Sequence, residues 1–113
     1  MSSNITAPQT YYKTPGEVLG VQCDFTPLLR EGEVLSGTPT ATVSGSDLVL
    51  TKSNVAITTA ITVILGVTVE AGKAITFTVS SGTNGVTYSI LVHCATSAGE
   101  TREYPVTIIV SST

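Results

Sequence analysis

The chain's 113 residues have room for one domain, since domains run to ~100–150 residues and a chain of this size buries most of its apolar surface in a single core. The net charge of −3 and the five scattered cations, Lys13, Arg30, Lys52, Lys73 and Arg102, exclude the clustered positive charge that a nucleic-acid partner requires. Only 12% of residues are charged, about half the usual share, and Thr, Ser and Val fill the space, a surface suited to packing against partners.

Residues 1–17, MSSNITAPQTYYKTPGE, combine small polar residues with Pro8, Pro15 and the adjacent Tyr11 and Tyr12. They are expected to form an extended arm ahead of a folded unit spanning 18–113. The opening has neither the basic start nor the apolar run of a secretory signal, so assembly in the cytoplasm is expected. Two fates are open to the tyrosines. They pack back on their own domain, or they lie along a neighbouring subunit, where Tyr gives large contact area at low entropic cost. On the second reading Tyr11, Tyr12, Lys13 and Pro15 are candidate partner-binding residues.

Beyond the arm the hydrophobic pattern has period two, with Val, Ile, Thr and Tyr in the repeating positions. It predicts strands near 18–25, 38–44, 47–51, 60–69, 74–80, 86–95 and 102–110, about seven in all. Turn chemistry falls between them in SGSD (44–47), EAGK (70–73), SGTNG (81–85) and SAGE (97–100), the last joining two strongly alternating runs as a hairpin. Short strands at this spacing predict an all-β fold, an immunoglobulin-like antiparallel β-sandwich. The longest apolar run, AITVILGVTV, is interrupted by Gly66 and falls short of the ~18 residues of a membrane helix, so no membrane partner is expected.

The only histidine, His93, adjoins Cys94. In a strand over 86–95, Tyr88, Ile90, Val92 and Cys94 share one face and Leu91, His93 and Ala95 the other, so the two groups point apart. Thiolate–imidazole catalysis needs them within ~3 Å, and no catalytic pair is expected. Cys23 alternates with Gln22 and Asp24 in the same manner, which makes Cys23 and Cys94 candidate buried thiols, expected to stay reduced in a cytoplasmically assembled chain. Glu31, Glu33, Glu100 and Glu103 read as solvated loop charges. No metal-ligand spacing, phosphate loop or nucleophile elbow is present, so neither a cofactor nor an enzymatic activity is expected.

Two segments carry a family resemblance. YYKTPGEVLGVQCDFTPLLREGEVL resembles the start of small tailed-bacteriophage proteins in which Lys-x-Pro-x-Glu-Val-Leu precedes Asp, an aromatic, Ser or Thr, and Pro. SSGTNGVTYSILVHCATSAGETREYPVTIIV is similar to their closing hairpin. The chain departs from the pattern at Cys23 and at Leu28, often an aromatic in the family. The resemblance implies an immunoglobulin-like virion protein of the fibre-to-tail adaptor family, present in several copies and contacting tail, fibre or capsid subunits. A capsid decoration protein clamping shell subunits is the alternative, and a carbohydrate-binding adhesion module a third, disfavoured by the absence of Trp and the presence of only four Tyr.

Overall fold

The computed structural model describes residues 9–45, 47, 49–64 and 66–112. Every regular element but one is a strand. In chain order these are β1 (Gln9–Lys13), β2 (Leu19–Asp24), β3 (Leu35–Ser44), β4 (Thr51–Ile57), β5 (Thr62–Ile64), β6 (Val67–Val69), β7 (Ala74–Ser80), β8 (Thr87–Thr96) and β9 (Thr101–Val110), with a single 3-10 turn at Thr26–Leu28. They form a four-stranded sheet in the order β1-β9-β8-β3, a three-stranded sheet in the order β2-β7-β4, and the hairpin β5-β6. The fold is all-β, and its ladders are antiparallel except where β1 runs parallel to β9.

Alternation builds the core as the pattern requires. Along β8 the even positions Tyr88, Ile90, Val92, Cys94 and Thr96 are buried, while Thr87, Ser89, Leu91 and Ala95 are exposed. The paired strand β9 buries Tyr104, Val106, Ile108 and Val110, and β2 and β7 contribute Val21, Cys23, Ile75, Phe77 and Val79. One buried cluster contains residues of both larger sheets, so their inward faces share a core. Full burial of such a side chain contributes ~1.5–3 kcal/mol, which makes this cluster the main source of stability. A second cluster of Ile64, Val69 and Ala74 lies beneath the β5-β6 hairpin.

Three departures from the predicted strands have identifiable causes. Residues 9–13, expected within the arm, form β1 and hydrogen-bond along the second half of β9; residues 1–8 of that arm lie outside the described residues. The run 60–69 is a hairpin because Gly66, at φ 79°, turns the chain in a conformation that glycine adopts without steric cost. The strand expected at 47–51 begins instead at Thr51, because the Asp47 carboxylate accepts hydrogen bonds from the Tyr88 hydroxyl at 2.5 Å, the Thr83 hydroxyl at 2.9 Å and the Val49 N–H at 3.1 Å, holding this stretch as a loop. These changes bring the strands to nine rather than seven, and the β1–β9 pairing makes one ladder parallel where all were expected to be antiparallel. Elsewhere the SAGE hairpin joins β8 and β9 as expected, closed by the Thr96 N–H donating to the Glu100 carbonyl at 2.7 Å.

The sheet edges are guarded against uncontrolled pairing. Pro105, which has no N–H, lies in the part of β9 that β1 leaves uncovered, and the β3–β8 register is interrupted between Ser36 and Thr40, where Gly37 adopts φ 75° and Pro39 follows.

Candidate partner-binding site

The four arm residues singled out in the sequence have different fates. β1 alternates, so Tyr11 and Lys13 turn inward and Tyr12 outward. The Tyr11 ring is half-buried against the core, and its hydroxyl donates to the Gln22 carbonyl at 3.1 Å and accepts from the Gln22 N–H at 3.2 Å, which fastens β1 to the edge of the three-stranded sheet. Burial is the main influence holding the Tyr11 phenol above its ordinary pKa.

Lys13 is almost fully buried, at 2% exposure. Its ammonium donates to the carbonyls of Thr14 at 2.7 Å and Ser81 at 2.6 Å, and burial holds its pKa below the usual lysine value against the opposing pull of Glu17. Such a group ties β1 to the β7–β8 loop instead of facing a partner. Pro15 is half-buried in a turn closed by the Glu17 N–H on the Thr14 carbonyl at 3.1 Å, where its fixed φ favours the bend.

Tyr12 alone projects, at 70% exposure. It borders a depression of about 140 Å³ lined with Lys13, Thr14, Glu17 and Ser111, while Pro15 lies outside that lining. The surface is therefore an aromatic on a firmly held strand beside a shallow polar recess. Other large apolar side chains are also exposed, most strongly Val18, Ile61, Val63 and Val67. For Ile61, Val63 and Val67 alternation locates the residues without telling which face of a short hairpin is covered.

His93 and Cys94 sit on opposite faces of β8. The imidazole Nε2 lies 2.7 Å from the Glu103 carboxylate on the outer face, and the Cys94 thiol donates to the Ser36 carbonyl at 3.3 Å on the inner one. Cys23 and Cys94 are both free and buried. Burial pushes the Cys23 thiol up to about 12 and raises that of Cys94, so neither is a thiolate at neutral pH. Three of the four glutamates read as solvated charges are otherwise engaged, Glu103 with His93 as above and two more besides. Glu100 bridges Arg30 at 2.8 Å and Arg102 at 2.6 Å, and Glu33 is buried, accepting from the Arg30 N–H at 2.8 Å. The Thr96 side chain, then the Arg30 N–H, hold the Glu33 carboxyl below its ordinary pKa. Sequence alone hides the Arg30–Glu100 and Thr96–Glu33 contacts because each joins segments distant in sequence.

Among the described residues no group of three or more His, Cys, Asp or Glu side chains is arranged to hold a metal ion, and no helix is long and apolar enough to cross a membrane.

The family described as "Podophage GP4 fiber-tail adaptor protein gp77" matches residues 13–109, from the last residue of β1 to near the end of β9. No curated protein matches the chain. Matched over most of its length, the chain belongs to the podophage fibre-to-tail adaptor family and is a virion structural protein joining fibre to tail.

Proposed function

We propose that the chain makes this junction through its N-terminal segment, residues 1–17, with Tyr12 as the anchor presented to a tail or fibre subunit. The observation that carries the reading is the contrast within β1: Tyr11 and Lys13 are tied inward by hydrogen bonds, while Tyr12 between them is 70% exposed. A strand held on both sides of an exposed aromatic offers a rigid anchor, and such side chains dominate protein interfaces. Lys13 and Pro15 act by fixing the root of this arm. Several copies per particle, assembled in the host cytoplasm, accord with a structural role and with two reduced thiols.

We further propose that the unit from residue 18 onward is an immunoglobulin-like β-sandwich, with β2-β7-β4 and β3-β8-β9 as its two sheets and β1 added at the edge. These orders correspond to the B-E-D and C-F-G strands of that fold. Tyr88 supports the reading, since it lies near the start of β8 with its hydroxyl accepting from the Thr83 N–H at 2.9 Å, as a corner tyrosine does, although it lies further from Cys94 than its counterpart in antibody domains.

Tyr12→Ala tests the anchor. The variant should retain its circular dichroism and melting temperature, since the side chain is exposed, while its quantity in purified virions, measured against the shell protein, falls about tenfold or more. Normal incorporation of Tyr12→Ala and of a chain lacking residues 1–8 would refute the arm.

A further inference from the structure

The β5–β6 hairpin turns aliphatic side chains to solvent. Ile64 and Val69 are buried with Ala74 in a small cluster apart from the main core, whereas Ile61 is 70% exposed and Val63 61% exposed. A two-stranded hairpin is marginally stable by itself, and the solvent face of an antiparallel pair is ordinarily polar. Neighbouring exposed aliphatics on such an element mark a surface that a partner covers.

The hairpin springs from the end of the molecule where the net charge is gathered. Its root is fixed by the Thr58 N–H on the Ala74 carbonyl and the Gly72 N–H on the Thr58 carbonyl, both at 2.9 Å. The Leu35 N–H on the Gly72 carbonyl and the Ser97 N–H on the Val34 carbonyl, both at 2.8 Å, join the same end to the loop before β3 and to the SAGE hairpin. These turns and the adjoining strand ends carry six acids, Asp24, Glu31, Glu33, Glu70, Glu100 and Glu103, and three bases, Arg30, Lys73 and Arg102. Six less three leaves −3, the formal net charge of the whole chain, because the remaining Glu17 and Asp47 balance Lys13 and Lys52. Arg30, Lys73 and Arg102 are each already bonded to a glutamate of this end, which leaves the exposed Glu31 without a cation. Tyr12 lies at the other end, opposite Ile109, about 27 Å along β9 from Thr101 at ~3.4 Å per residue.

We propose that this acidic end is the adaptor's second docking surface, on which Ile61 and Val63 enter an apolar recess of the fibre protein rimmed by Lys or Arg. An adaptor holds two proteins at once, and contacts at opposite ends of β9 let both bind without collision. An apolar centre with a charged rim is the anatomy of a specific interface, and a net-negative rim selects a basic partner while repelling an acidic one. The assignment of the fibre to this end, and of the tail to the other, rests on the reading of Tyr12 as the anchor that seats the chain on the particle.

Phage carrying variant chains test it, with this chain and the fibre protein each counted against the shell protein in purified particles by quantitative mass spectrometry. Val63→Lys, and separately Glu31→Lys combined with Glu70→Lys, change exposed positions and should leave circular dichroism and the count of this chain unchanged. Each should lower the fibre count at least about tenfold, since like charges then meet across the contact. Lys52→Glu, exposed on β4 away from this end, should change neither count. Normal fibre counts in either the Val63 or the double glutamate variant would overturn the proposal. So would folded variants that are themselves missing from particles, which would assign this end to the tail. Tyr12→Ala run in parallel keeps the two readings apart: it should remove chain and fibre together, and a normal chain count there would sink the anchor without restoring fibres to the other variants.

Discussion

Replacing Phe25 by alanine removes a side chain that joins the two larger sheets. Phe25 follows β2, has no exposed surface, and sets its ring 5.5 Å from that of Tyr104 on β9 at an interplanar angle of 37°. A buried Phe→Ala change costs ~3–5 kcal/mol in lost transfer energy and cavity, of which the tilted ring pair supplies ~0.5–1.5 kcal/mol. Against a total stability of ~5–15 kcal/mol this is a large share, and at about 4 °C per kcal/mol the melting temperature should fall by about 12–20 °C. Thermal unfolding followed by circular dichroism, repeated with Tyr104→Ala and the double variant, separates the pair energy from the cavity. Tyr104 supplies a second readout. Burial, aided by the charges of Cys23, Tyr11 and Asp24, pushes its phenol up to about 12, and opening the site in Phe25→Ala should bring it back toward 10. Because the folded-state value is raised, the stability linked to Tyr104 is fully present below pH ~10 and is lost as pH rises through 12. A melting shift below about 4 °C, or a Tyr104 titration that does not move, would refute a core shared by the two sheets.

Tyr88→Phe strands the Thr83 N–H and should cost ~1–3 kcal/mol in urea denaturation at pH 7. The Tyr88 hydroxyl is the main influence holding the Asp47 carboxyl below its ordinary pKa, so Asp47 stabilises the fold above pH ~4 and loses that contribution as pH falls through the lowered value; the gap between wild type and variant should narrow in acid. Cys23 should resist a thiol reagent in the folded protein, and both cysteines should titrate in denaturant without prior reduction; a requirement for reductant would establish a disulfide. Lys13→Met removes a buried ammonium whose folded pKa is lowered. The wild type should therefore gain stability as pH rises through that value toward 10.5, and the variant should lack this rise in denaturation curves collected at increasing pH.

The strands that were legible in sequence are those whose alternation a single core face dictates. Tyr88, Ile90, Val92 and Cys94 declare β8, and SAGE declares the hairpin after it. β1 was not legible because QTYYK is short and its ladder partner lies at the far end of the chain, so nothing local marks it as a strand. Lys13 follows the same logic, for its burial depends on the Ser81 carbonyl, supplied by a loop distant in sequence. Asp47 is similar: the alternating residues after it suggested a strand, but three hydrogen-bond donors, two of them distant in sequence, hold its carboxylate in a loop. Of the candidate site, Tyr12 was readable as an aromatic among small polar residues, whereas its separation from Tyr11 and Lys13 required the pairing with β9.

The most direct test of the adaptor role is to grow the phage without this chain and count fibre protein per purified particle by quantitative mass spectrometry. The expected result is particles with full complements of shell and tail protein that have lost their fibres. Particles that keep a normal number of fibres, or shells that become unstable while the fibres remain attached, would contradict the assignment of this chain to the fibre-to-tail junction.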